Sequence, residues 1–97
     1  MRRAAKIDAN QNAIVGMLRG CGATVQSLAA TGKGTPDLLV GFMGRNWLIE
    51  VKDGSKPPSA RKLTPDQVSW HGGWKGQVAV CMTAEEALFV IGIGLDK

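Results

Sequence analysis

The sequence predicts a mixed α/β fold: one central sheet with helices around it and elements in the order α-β-β-β-α-β-α. Three observations point there. Two strand-like runs, residues 37–42 and 47–52, flank the turn Met43-Gly44-Arg45-Asn46 and read as a hairpin. Two helix starts are written as capping patterns, Thr64-Pro65-Asp66-Gln67 and Thr83-Ala84-Glu85-Glu86. A further strand-like run, Gln77–Met82, lies between those helices. A strand that arrives through a helix joins a hairpin in a mixed sheet.

Taken in order, residues 8–20 read as a helix, with Ala13, Ile14, Met17, Leu18 and Cys21 at helical spacing. Asp8 is the expected N-cap, paired with Gln11, and Gly20 and Gly22 end the helix. Residues 23–28 alternate polar and apolar, as a half-buried strand does. Ala29 to Pro36 is a glycine-rich loop, and residues 53–63 form a polar one. The Thr64 helix is expected to run to about Trp70, before Gly72-Gly73. No repeat or low-complexity tract divides the chain, so residues 1–97 are expected to form one domain.

Composition narrows the class. The chain is 44% hydrophobic and 21% charged, which excludes a disordered segment. A net charge of +4 favours a polyanionic partner, nucleic acid or a membrane surface. No apolar run is long enough to span a bilayer, and Met-Arg-Arg-Ala-Ala-Lys lacks the apolar stretch of a signal peptide. Cys21 and Cys81 have no metal-ligand spacing and read as reduced core residues. The expectation is a cytoplasmic protein with no membrane association.

The chemistry concentrates in Pro36-Asp37 and, thirteen residues after Asp37, Glu50-Val51-Lys52. Glu50 and Lys52 share a strand face. With Gly44-Arg45 as a two-residue loop, Leu39 faces Glu50 and Asp37 faces Lys52, so all three charged residues share that face; a slip of one residue would separate them. Two nearby carboxylates repel unless a cation sits between them. Mg²⁺ takes one or two carboxylates plus waters and a substrate phosphate. A lysine beside it can hold the attacking water and stabilise the oxyanion, which makes a phosphodiester hydrolase. A lone E-x-K is commonly a surface ion pair. Here Leu48, Ile49 and Val51 make the strand apolar on both faces, and charges in a buried strand need a partner.

Three blocks, Gly34-Thr35-Pro36-Asp37-Leu38-Leu39-Val40-Gly41, Ile49-Glu50-Val51-Lys52 and Leu63-Thr64-Pro65-Asp66-Gln67 with Trp70, resemble the VRR-NUC family of the PD-(D/E)XK nuclease superfamily. The resemblance runs from Asp8 to about Ala87. It implies a restriction-endonuclease-like core and a Mg²⁺-dependent endodeoxyribonuclease, with Mn²⁺ as a substitute and no small-molecule cofactor. The expected substrate is structured or branched DNA in replication, repair or recombination, as for Holliday-junction resolvases, in a bacterial cell or phage-infected host. By resemblance, Asp37, Glu50 and the Val51 carbonyl hold the metal, Lys52 is the catalytic lysine, and Gln67 approaches the site from its helix. Gln67 is also the N3 residue of a capping box, and the two roles are compatible. Many relatives carry a glutamate in the first helix. The matching stretch, Asn10-Gln11-Asn12-Ala13-Ile14, has no acid, and Asp8 is the nearest. This departure favours one metal per site, or a loosely held second one, and keeps open a non-cleaving DNA-binding module with the nuclease fold.

Lys33, Lys56, Arg61 and Lys62 are candidate DNA contacts; phosphate contacts of this kind are blind to base sequence. Lys33 reads equally as a solvated loop charge. Arg2, Arg3 and Lys6 form a basic arm, either disordered or on DNA. Trp70 and Trp74 read as core packing, with a subunit interface as the alternative. His71, the one histidine, has no ligand-spaced partner and reads as a surface or helix-end residue. The apolar stretch Ala87 to Leu95 suggests a face buried in a second copy, a two-fold homodimer.

Overall fold

A computed structural model of the chain describes residues 8–94. The basic arm of Arg2, Arg3 and Lys6 lies outside the described residues. The elements are α1 (Gln11–Gly20), β1 (Thr24–Ser27), β2 (Leu38–Phe42), β3 (Arg45–Val51), α2 (Pro58–Arg61), α3 (Pro65–Gly73), β4 (Val78–Cys81) and α4 (Ala84–Val90). The strands form one sheet in the order β1-β2-β3-β4. β1, β2 and β3 are antiparallel neighbours, and β4 joins β3 in parallel. The anticipated mixed sheet is thus present, with one addition: the polar loop after β3 contains the four-residue helix α2. So short a helix has no apolar periodicity to announce it; only Pro58 at its start marks it.

The hairpin register differs from expectation by two residues. Phe42 pairs with Arg45 and Leu38 with Ile49, so the turn is Met43-Gly44 rather than Gly44-Arg45. Both turn residues have positive φ, 52° and 79°, the backbone of a type I′ turn, whose twist matches that of the strands. Because side chains alternate with period two, a shift of two preserves every residue's face. Continuing the ladder one step puts Asp37 opposite Glu50, not Lys52.

The register sorts the sheet into two faces. Val25, Leu38, Val40, Trp47, Ile49, Val51, Ala79 and Cys81 share one face. They pack with Ile14 and Leu18 of α1 and with Ala87, Leu88 and Ile91 in and just after α4. The buried stripe of α1 is Gln11, Ile14 and Leu18, with Val15 against the core. Ala13, Met17 and Cys21 lie on the neighbouring stripe; Met17 is exposed, and so is Cys21, which corrects its assignment to the core. Cys81 is buried, and burial followed by the charge of Glu86 pushes its thiol up to about 11. The opposite face carries Gln26, Leu39, Leu48 and Val78 in one row and Glu50 beside Val80 in the next.

α1 begins at Gln11 with Asn10 in the cap position, not at Asp8. The Asn10 side chain makes no cap bond, because its amide crosses to the sheet. α3 starts where expected, with a complete capping box, and runs on to Gly73. α4 is capped by Thr83, whose hydroxyl accepts from the Glu86 N–H. Among the described residues no helix is long and apolar enough to cross a membrane.

Candidate active site

The site forms where β2 begins and β3 ends. Asp37 immediately precedes β2, after Pro36. Its Oδ2 accepts a 2.7 Å hydrogen bond from the Val51 N–H, and its carbonyl accepts from the Leu28 N–H at 2.7 Å. Asp37 is therefore held by both neighbouring strands. In extended backbone the Val51 carbonyl leaves β3 on the same side as its N–H. That side faces Pro36, which has no N–H to offer it.

Glu50 is 3% exposed and Lys52 8% exposed, both well inside the burial range of core residues. Burial is the main cause that lifts the Glu50 carboxyl to about 8; the neighbouring Asp37 adds to it, and Lys52 opposes it. Without a cation, Glu50 thus keeps its proton at neutral pH. Lys52 Nζ lies 3.8 Å from Glu50 Oε2.

Gln67 ties this pair together. Its Oε1 accepts from the Thr64 N–H at 2.9 Å and from Lys52 Nζ at 2.8 Å, while its Nε2 donates to Glu50 Oε2 at 3.0 Å. The Thr64 N–H can only donate, so it fixes which end of the amide is oxygen and turns the NH₂ toward Glu50. Its two roles, cap and site contact, are one arrangement. Gly34 makes the approach of α3 possible. A Cβ there would lie 2.3 Å from the Asp66 carbonyl oxygen, and its φ is +83°.

Sequence reasoning passed over Asn10. Its Nδ2 donates to the carbonyls of Lys52, at 3.0 Å, and Met82, at 2.8 Å, clamping the ends of β3 and β4 together beside the site. Its position in the stretch where relatives carry an acid was the available signal. Asp8 is close enough for its charge to act on Glu50, and its carboxylate pairs with Lys56 at 3.1 Å. Lys56 therefore meets Asp8 rather than standing alone. Lys33 is exposed in the loop before Asp37 with a φ of 56°. Lys62 is exposed, and Arg61 is half-buried on α2 with its Nε unpartnered. No direct contact joins these four basic residues to the carboxylate pair. His71 lies half-buried one turn after Gln67; burial and then the charge of Lys52 hold its pKa down. Trp70 and Trp74 do stack, 4.6 Å apart at 17°, but outside the core: Trp74 is 46% exposed at the end of α3.

A divalent cation fits the donor set. Glu50 Oε1 is buried and has no partner, and Glu50 sits beside Asp37 with its carboxyl pushed up to about 8, mainly by burial, so a cation there would supply the missing counter-charge. Among the described residues no three His, Cys, Asp or Glu side chains converge. Two carboxylates with a main-chain carbonyl meet the needs of Mg²⁺, which keeps several waters.

Sheet order and site placement together define a PD-(D/E)XK-like α/β protein. No protein-family model and no curated protein matches the chain. A solved structure described as a VRR_NUC domain does, at 28% sequence identity and a TM-score of 0.62, over 84% of this chain and 88% of that one. The chain has the VRR-NUC family fold.

Proposed function

We propose that the protein is a metal-dependent endodeoxyribonuclease acting on structured or branched DNA. One observation carries the reading: a buried Glu50 with an orphan carboxylate oxygen is held against half-buried Asp37, directly beside a lysine locked by Gln67. A stabilising surface ion pair would have no reason to bury one acid against another.

In this reading Asp37, Glu50 and the Val51 carbonyl hold Mg²⁺ or Mn²⁺. Such an ion, when bound, lowers the pKa of a water and neutralises charge developing on the phosphate. Gln67 holds Lys52 by one N–H and leaves its other N–H groups for the reacting atoms. There the ammonium steadies the attacking oxygen and the oxyanion that forms on phosphorus. Asn10 anchors the Lys52 backbone from the opposite side. The exposed charges of Lys33 and Lys62, with Arg61 and Lys56 nearby in sequence, suit salt-dependent contact with DNA phosphates. A second copy is a reasonable partner: Phe89 is 70% exposed and Val80 40% exposed on one side of the molecule, where Met82 and Val90 line the same groove. The setting would be the cytoplasm of a bacterial or phage-infected cell.

The test is cleavage of branched, nicked and linear DNA in Mg²⁺, Mn²⁺ or EDTA. Cleavage is expected in either metal and not in EDTA, and Lys52→Ala or Glu50→Ala should reduce it by about 10²-fold or more. Activity that survives either substitution would sink the assignment. DNA binding without cutting under every condition would favour a non-cleaving module.

A further inference from the structure

The open face of the sheet continues past the carboxylate pair. Two ladder steps from Asp37 and Glu50, on the same face, Leu39 pairs with Leu48. Two residues of strand put this pair roughly 7 Å from the acids. Leu39 and Leu48 form the floor of a cavity of about 360 Å³, whose lining also includes Trp74, Asn46, Gly76 and Gln77. A cavity of this size with an apolar floor and a few polar groups has the character of a small-ligand site.

Trp74 is unusually well fixed for an exposed side chain. Its indole stacks on Trp70. Its edge lies over Gly76, where a Cβ would meet Trp74 Nε1 at 2.9 Å. A larger residue there would push the ring out of this position. An exposed, immobilised indole is a ready stacking surface, since little rotamer entropy remains to be lost. Exposed Lys75 lies between Trp74 and Gly76 in the chain, and a phosphate is the natural partner for its charge. The Asn46 amide and Gln77 Oε1 can address the edge of a planar heterocycle, while Gln77 Nε2 donates to the Asn46 carbonyl.

We infer that this cavity is a subsite for an unpaired nucleobase one nucleotide from the scissile phosphate, stacked on Trp74. The inference rests on the nuclease reading and deepens it by naming the substrate class: DNA with an unpaired nucleotide beside the cut. A base inside a duplex cannot reach the indole without being extruded, so fully paired DNA gains nothing from it.

The experiment uses the full chain in Ca²⁺ and, separately, in EDTA. Direct binding is measured to a branched or gapped oligonucleotide, to the same oligonucleotide with abasic sites in its unpaired positions, and to plain duplex. Wild-type protein is expected to bind the unpaired DNA roughly 5- to 100-fold more tightly than its abasic version. Trp74→Ala should erase that ratio without changing duplex affinity, and Trp74→Phe should keep most of it. The abasic comparison uses unaltered protein, so it stands whether or not Trp74→Ala folds. Equal affinity for the base-containing and abasic DNA overturns the subsite. If metal-dependent cleavage persists in that case, the nuclease reading survives alone; failure to bind any DNA overturns both.

Discussion

At the scale of single residues, the site is a small network in which each polar atom limits another. Gln67 is its hub, so Gln67→Ala should act twice. Loss of the capping box lowers stability by about 1 kcal/mol, read as a shift in the urea midpoint. Release of Lys52 lowers cleavage by more than that shift explains. Gln67→Glu separates the effects: a carboxylate can still accept from Thr64 and Lys52, but it no longer donates to Glu50 Oε2 and sets a third acid beside the pair. It should therefore keep more of the cap than of the activity. Glu50 gives a pH signature. In the folded protein it holds its proton up to about pH 8, whereas the free side chain loses it near 4.5. Between those values the folded state binds more protons than the unfolded one, so stability falls as pH rises. The penalty is absent below 4.5 and complete above 8. Melting temperatures in EDTA should fall across this window for wild type and stay flatter for Glu50→Gln. Asp37, Glu50, Lys52 and Gln67 were legible because strand alternation and a capping box are short-range patterns. Asn10 was not, because its bonds span 42 and 72 residues and nothing local records them.

At the scale of elements, the chain's turns show where sequence patterns stop short. The hairpin and its face assignment were readable, but its register was not. Met43-Gly44 and Gly44-Arg45 both contain a glycine, and the I′ geometry asks Met43 to take a φ of 52°. A left-handed methionine is strained by roughly 1 kcal/mol relative to residues that tolerate that conformation. Met43 is also 84% exposed, so it returns little through packing. Met43→Asn should therefore stabilise the protein by about 0.5–1 kcal/mol with no change in DNA binding, measured by equilibrium unfolding. Gly34→Ala should do the reverse. It adds both a positive-φ penalty and a clash with the Asp66 carbonyl, so the loop must withdraw from α3. A loss of about 1–3 kcal/mol is expected, together with weakened cleavage, because that loop leads into Asp37 and α3 carries Gln67.

At the scale of the whole molecule, the sheet divides its labour by face. α1 and α4 seal one side into the core, and the other side keeps its acids, Leu39, Leu48 and Trp74 within reach of a ligand. This division is legible from alternation along β2 and β3. What α3 brings to the open face is not, since it depends on how a loop packs in three dimensions. A small fold is only marginally stable, so buried Glu50 beside Asp37 is a sizeable burden on it. It follows that a cation which binds only the folded state should stabilise the entire molecule, by RT ln(1 + [M]/Kd). Binding displaces the Glu50 proton, so affinity should rise with pH until Glu50 is ionised without help, near pH 8. The melting temperature should therefore rise with Mg²⁺ or Mn²⁺, by more at pH 8 than at pH 5.5. At a cation concentration 100 times Kd the gain is about 2.7 kcal/mol. Asp37→Asn and Glu50→Gln should each be more stable than wild type in EDTA at pH 8, and neither should respond to the cation. A thermal shift of equal size in both variants and wild type would place the ion elsewhere on the molecule.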